Sequence, residues 1–212
     1  MDLIHPLAQQ YAEDYSSPED ILLKEINDHT MQHHAESQML SGHLQGKVLE
    51  MVSTMIRPRR ILEIGTFTGY SALCLAKGLM DDGQLHTIEL REEDAKLSRD
   101  YFDRSSFSHQ IISHTGNALE VIARLDETWD LVFIDADKPA YIEYFNLVLS
   151  RLRKNGFILA DNIFFHGAVL EEKVKGKSAV GIQAFNDLIK DRTDIEKVVL
   201  TIRDGLFLIR KL

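Results

Sequence analysis

Cysteine is nearly missing from this chain. Cys74 stands alone among 212 residues, so no intrachain disulfide can form, and a reducing, cytoplasmic setting is expected. No apolar run is long enough to span a membrane. The opening MDLIHPLAQQYAEDY has no basic segment leading into an apolar core, so a soluble protein without a leader or membrane contact is expected. Basic residues are in deficit: 24 Lys and Arg face 33 Asp and Glu, a net charge of −9 that disfavours nonspecific nucleic-acid binding. With 44% hydrophobic and 27% charged residues, the composition is that of a globular chain without long disordered arms. That length suits one sizeable core, and residues 1–212 read as a single domain.

What is present centres on Arg60 to Ala76, RILEIGTFTGYSALCLA, which reads as strand, tight loop and helix. Ile61, Leu62 and Ile64 form the short apolar run of a parallel strand buried on both faces, and Glu63 interrupts it. A carboxylate there is costly to bury without hydrogen bonds, so Glu63 is expected at the strand's carboxyl mouth, facing a ligand or backbone N–H groups. Gly65 and Gly69 bracket a turn that suits small or left-handed residues, and helix resumes from Ser71. This stretch lacks the GK[ST] of a P-loop, and its G-x-x-x-G is not the G-x-G-x-x-G of dinucleotide sites. Twenty residues past Gly69, the run Leu85 to Leu90 closes a second strand with Glu89, where an α/β fold keeps an acid for a ribose diol. A nucleoside without pyrophosphate fits this cradle best.

Before the cradle, Pro18 to Ile56 has a helical pattern with Ser17 as N-cap, Ser41-Gly42 and Gly46 are expected to interrupt it near the ligand, and residues 1–57 form a helical segment expected to cover the site. His29 and His33 share a helical face. Without supporting Cys or HExxH context they read as a polar face rather than a metal site. After the cradle, strand and helix alternate: helix Glu92 to Phe102, strand Gln110 to Ser113, helix Val121 to Leu125, strand Trp129 to Ile134, helix Tyr141 to Leu152 broken at Gly156, strand Phe157 to Ala160. Such alternation specifies an α/β fold with a parallel sheet and helices on both faces. A helix from Ile182 to Lys190 precedes two runs, Ile195 to Ile202 and Leu206 to Ile209, whose Asp204-Gly205 joint predicts an antiparallel pair.

Ligands of an open α/β sheet bind beyond the carboxyl ends of its strands. Five such ends finish in acids or amides: Glu63, Glu89, Asn117, Asp135 and Asp161-Asn162. Asp135, Asp161 and Asn162 offer hard oxygens without thiolate or imidazole, which suits Mg²⁺, Mn²⁺ or Ca²⁺; the alternative is that the two aspartates cap the segments that follow. Lys138 is either a base with a lowered pKa or an ion-pair partner of Asp137.

Five motifs carry a family resemblance from about Ser41 to Leu212: LEIGTFTGYS, FIDADK at Phe133 to Lys138, ADN at Ala160 to Asn162, GIQAFN at Gly181 to Asn186, and RDG at Arg203 to Gly205. The chain resembles the cation-dependent O-methyltransferases, which include caffeoyl-CoA and catechol O-methyltransferases and small bacterial relatives. The resemblance implies a Rossmann-like class I S-adenosylmethionine-dependent methyltransferase with a mostly parallel seven-stranded sheet and an antiparallel C-terminal strand. It further implies that Ser41, Glu63, Gly65, Thr66 and Ser71 line the S-adenosylmethionine (SAM) pocket, that Glu89 holds the ribose, and that Asn117 and Ala118 meet the adenine. Asp135 would serve cofactor and divalent metal, Asp161 and Asn162 would complete the metal ligands, Lys138 would act as base or electrostatic aid, and Tyr144 would join it at the substrate wall. Two departures stand out. Relatives commonly read MQISPEQG where this chain has MLSGHLQG at Met39 to Gly46, and many carry Asp at the position of Asn117.

The implied reaction is in-line methyl transfer to a phenolic, catechol-like small molecule, with a homodimer as the implied assembly. Two rivals stand beside it: a hydroxylated tRNA base as acceptor, with Lys173, Lys175 and Lys177 touching phosphate, and a noncatalytic SAM-binding protein.

Overall fold

The computed structural model describes residues 3–212. Its frame is a seven-stranded sheet in the order β3-β2-β1-β4-β5-β7-β6. The strands are β1 (Arg60–Ile64), β2 (Gln84–Glu89), β3 (Ile111–Thr115), β4 (Trp129–Ile134), β5 (Leu152–Asp161), β6 (Ile195–Leu200) and β7 (Leu206–Lys211). All neighbouring pairs from β3 to β5 are parallel, and β7 runs antiparallel to both β5 and β6. The expected parallel sheet with an antiparallel C-terminal strand is therefore present.

Each face of the sheet buries its own core, which explains why the central strands tolerate almost no polar residue. On one face Leu62, Ile64, Val132 and Ile134 pack with Trp129, Tyr141, Phe145 and Phe185 beneath α6 (Ala118–Arg124), α7 (Tyr141–Arg151) and α8 (Lys177–Asp191). On the other, Ile61, Leu131, Phe133 and Leu159 meet α2 (Ile21–His33), α3 (Gly42–Ile56), α4 (Tyr70–Ala76) and α5 (Glu92–Asp103). Among the described residues, no helix is long and apolar enough to cross a membrane.

Four local expectations need correction. The interruption expected at Ser41-Gly42 and Gly46 lies earlier, at residues 34–41, with α3 running through Gly46, and α2 is capped not by Ser17 but by Asp20, whose carboxylate accepts from the Leu23 N–H at 2.9 Å. A separate helix, α1 (Pro6–Asp14), starts with proline in its first turn, where no N–H is missed. Gly156 does not break α7, which ends at Arg151; β5 begins at Leu152, with Asn155 left-handed at φ 60°. Helix α8 starts at Lys177 rather than Ile182. The first two residues of the N-terminal segment, Met1 and Asp2, lie outside the described residues.

Candidate active site

The carboxyl ends of β1, β2, β4 and β5 open into a cavity of about 590 Å³. At its centre, the Gly65 N–H donates to the Ile88 carbonyl at 3.0 Å, and the Asp135 N–H donates to the Ile64 carbonyl at 2.9 Å. The turn that follows requires glycine for two reasons. Gly65 sits at φ 100°, and a Cβ there would overlap the Asp135 carbonyl oxygen. Neighbouring strands can thus approach the loop closely enough for one cavity to span all four strand ends.

Ser41, Gly65, Thr66, Ser71, Glu89, Asn117, Ala118, Asp135, Lys138, Tyr144, Asp161 and Asn162 all stand on the cavity wall. Glu63 does not, and its expected position is corrected. It is fully buried behind the loop, where its register partner on β2 is Thr87. The Thr87 hydroxyl donates to Glu63 Oε2 at 2.5 Å and takes the Thr66 hydroxyl as its own donor, while Glu63 Oε1 has no partner. Burial, opposed by the Thr87 and Ser71 hydroxyls, pushes the Glu63 acid up to about 8. A protonated side chain at neutral pH is the consequence.

Glu89 lies on the wall with its carboxylate pinned: it accepts from the Phe67 N–H at 2.7 Å and the Arg91 N–H at 3.0 Å. Two backbone donors fix its direction before any ligand arrives. Asn117 also has a structural duty, because its Oδ1 caps α6 by accepting from Leu119 N–H at 2.9 Å and Glu120 N–H at 3.4 Å. Only its amide N–H₂ remains for a ligand.

The opposite end of the cavity is a charged knot. Lys138 Nζ donates to Asp135 Oδ1 at 2.8 Å and to the Tyr141 hydroxyl at 3.0 Å, and that hydroxyl donates onward to the Asp161 carbonyl at 3.0 Å. Burial would pull the Lys138 ammonium down, but Asp135, Tyr141 and Asp161 more than offset this and hold it above the usual lysine range. Burial and the neighbouring Asp135 push the Asp161 carboxyl up to about 7, against the pull of Lys138 and Gln45. Asp161 Oδ1 is buried without a hydrogen-bond partner. Asn162, left-handed at φ 56°, gives its amide N–H₂ to Asp204 Oδ2 at 3.2 Å, which leaves its carbonyl oxygen uncommitted. Among the described residues no three His, Cys, Asp or Glu side chains gather around a metal position; the oxygen set here is two carboxylates and one amide. The His29 and His33 rings stack along α2 at 4.7 Å between centroids.

Several wall residues escaped the sequence reading. Phe67, Arg91, Phe165, His166 and Arg203 all line the cavity, as does the segment Gln38 to Leu40. Of the N-terminal segment, Gln38 to Ser41 are the residues on the wall, while α2 supports the cradle from behind through a Thr30 to Thr68 hydroxyl bond of 3.1 Å. Positive φ was the hidden signal: Phe67, Phe165, His166 and Arg203 are non-glycine residues in the left-handed region, a strain that clusters at functional sites.

Comparison with known proteins agrees with this geometry. The family model described as O-methyltransferase matches residues 13–212. A catechol O-methyltransferase of Niastella koreensis is 34% identical over 160 residues, covering 74% of this chain and 72% of that protein. A probable caffeoyl-CoA O-methyltransferase of Dictyostelium discoideum is 29% identical, covering 95% and 90%. Among solved structures, the O-methyltransferase TomG of Streptomyces achromogenes, in complex with SAM, superposes with a TM-score of 0.88 at 28% identity, covering 97% of this chain and 96% of its own. An O-methyltransferase from Bacillus cereus in complex with SAH gives 0.85 at 29%, covering 97% of each. Sequence, fold and the cavity at the strand ends converge, and the chain belongs to the O-methyltransferase family, with the fold of its SAM-dependent members.

Proposed function

We propose that this O-methyltransferase uses SAM and a divalent cation to methylate one hydroxyl of a catechol-like phenolic small molecule. The observation that carries the reading is Asp161 Oδ1, a buried oxygen without a hydrogen-bond partner beside two further oxygen-bearing side chains. Buried polar atoms are almost always satisfied, so an orphan on a cavity wall fits a ligand contact. Asp135, Asp161 and Asn162 are hard donors and would hold Mg²⁺, Mn²⁺ or Ca²⁺ in preference to Zn²⁺. Once bound, such a cation supplies Lewis acidity that makes an acceptor hydroxyl easier to ionise. SAM supplies an electrophilic methyl group.

The chain's own residues then divide the work. Glu89, oriented by the Phe67 and Arg91 N–H groups, receives a ribose diol, and the Asn117 amide donates to the base beside Ala118. Thr66 and Ser71 form the cradle, and the neutral Glu63 behind them keeps the loop's hydroxyls in place. Ser41 closes the N-terminal side, and Tyr144 walls the acceptor end. Lys138, ion-paired with Asp135 at the acceptor end, would act there as base or electrostatic aid. Most of the rate enhancement then comes from orientation and fixed charge.

A methyl-transfer assay with catechol and SAM tests the reading. Turnover is expected to vanish with chelator and return with Mg²⁺ or Mn²⁺; full turnover in excess chelator would remove the cation from the scheme. Homodimerisation belongs to the same reading and is checked by sedimentation equilibrium.

A further inference from the structure

Three arginine and lysine side chains line the cavity, Arg91, Lys138 and Arg203, with the His166 imidazole beside them. Arg91, Lys138 and His166 each have a carboxylate neighbour. Arg91 meets Glu36 at 2.5 Å and Asp94 at 2.6 Å, Lys138 meets Asp135 at 2.8 Å, and His166 lies 3.8 Å from Asp204. Among the described residues, Arg203 has none. It is half-buried, and its Nη1 alone is engaged, donating to the carbonyls of Leu40 and Ser41, which are neutral. A half-buried guanidinium on the cavity wall, held only by neutral acceptors, has no carboxylate to offset its charge.

The backbone holds it there. Arg203 is left-handed at φ 45°, a conformation that a non-glycine residue keeps only where its surroundings fix it. Its neighbour Asp204 is anchored on the same side of the site, accepting from Asn162 Nδ2 at 3.2 Å and from the His166 N–H at 2.6 Å. The contacts of Asp204 with Asn162 and His166 tie Arg203 to the side of the site where the proposed reaction places the cation and the acceptor. A planar fork with unused N–H groups is suited to a carboxylate.

We propose that Arg203 is a specificity-determining residue that favours catechol-like acceptors bearing a carboxylate. The inference rests on the proposed function for the identity of the acceptor, but the charge that carries it stands independently.

The test compares kcat/KM for 3,4-dihydroxybenzoate and for neutral catechol in the wild-type protein, Arg203→Gln and Arg203→Lys. Calorimetric titration of each protein with benzoate gives a reading that needs no turnover. Arg203→Gln is expected to lower the ratio of the two kcat/KM values by about tenfold, the scale of one charge-assisted hydrogen bond, and to weaken benzoate binding similarly. Arg203→Lys, which keeps charge but not the fork, is expected to restore part of both. An unchanged ratio would overturn the proposal and leave Arg203 as a tie to the Leu40 and Ser41 backbone. A raised KM for SAM with no change in acceptor preference would also overturn it, by assigning the guanidinium to the donor's carboxylate. If the wild-type protein methylates neither compound, the proposed function fails while the titration still decides here: benzoate binding that depends on Arg203 upholds the inference, and its absence refutes it.

Discussion

Replacing Glu63 by glutamine removes an ionisation that the folded chain resists. Burial, with smaller pushes from Asp135 and Glu89, holds this acid at about 8, against 4.5 for an exposed glutamate. Between these values the folded state binds a proton that the unfolded chain has released, so unfolding free energy falls as pH rises through that window. Every tenfold loss of acidity on folding is worth about 1.4 kcal/mol, so the full cost above pH 8 is on the order of 5 kcal/mol. That is a large part of the ~5–15 kcal/mol that holds a domain together. Glutamine has the shape of the neutral acid and carries no such cost. Urea unfolding followed by fluorescence of Trp129, the one tryptophan and fully buried, measures both proteins between pH 5 and pH 8.5. The variant and the wild type are expected to be nearly equal near pH 5, with the variant gaining by several kcal/mol at the alkaline end. A stability difference that stays constant across this range would refute the reasoning.

Other outcomes follow from single contacts. His86 is held down to about 4 by burial and by the adjacent His114, so its contribution to stability is complete above pH 6.5 and is lost as pH falls towards 4. His86→Gln in the Glu63→Gln background is expected to flatten that acid limb in the same unfolding assay. Gly65→Ala forces a Cβ into a backbone oxygen at φ 100° and is expected to cost more than about 2 kcal/mol; an unchanged urea midpoint would count against it. Tyr141→Phe leaves both the Lys138 ammonium and the Asp161 carbonyl short of a partner, an expected loss of about 1–2 kcal/mol that differential unfolding measures. Asp161→Ala, which removes the orphaned oxygen, is expected to abolish cation-stimulated turnover while SAM binding, followed by calorimetry, persists.

The parts of this fold that could be read in the sequence are those where burial is two-sided. β4 runs from Trp129 to Ile134 as expected, because an apolar run flanked by turns has few other places to go. β1 was legible for the same reason, and the acids and amides at the strand ends marked the cavity's floor. What could not be read depends on partners distant in sequence. Whether Glu63 faces a ligand or a hydroxyl is decided by its register against Thr87 on another strand. Asn117 looked like a ligand contact, but half of its amide is spent on capping α6. Ser41-Gly42 marked the far end of the break between α2 and α3, but no proline or glycine marks its start at residue 34; residues 38–41 instead follow the cavity wall. Arg203 was visible only as part of a motif, since its role lies in a contact with residues 162 and 163 positions away.

The tie between Arg203 and the backbone of Leu40 and Ser41 also bears on how the protein is made. The ribosome delivers Leu40 and Ser41 well before Arg203, 163 and 162 positions further on, so the wall they build together is unfinished until Arg203 has been made. Until then the nascent chain can bury its first strands and helices, since domains fold as units from the N-terminal side. A small molecule that needs the whole enclosure arrives too late to assist those steps, and rescue by ligand is expected only for defects that act once Arg203 is in place.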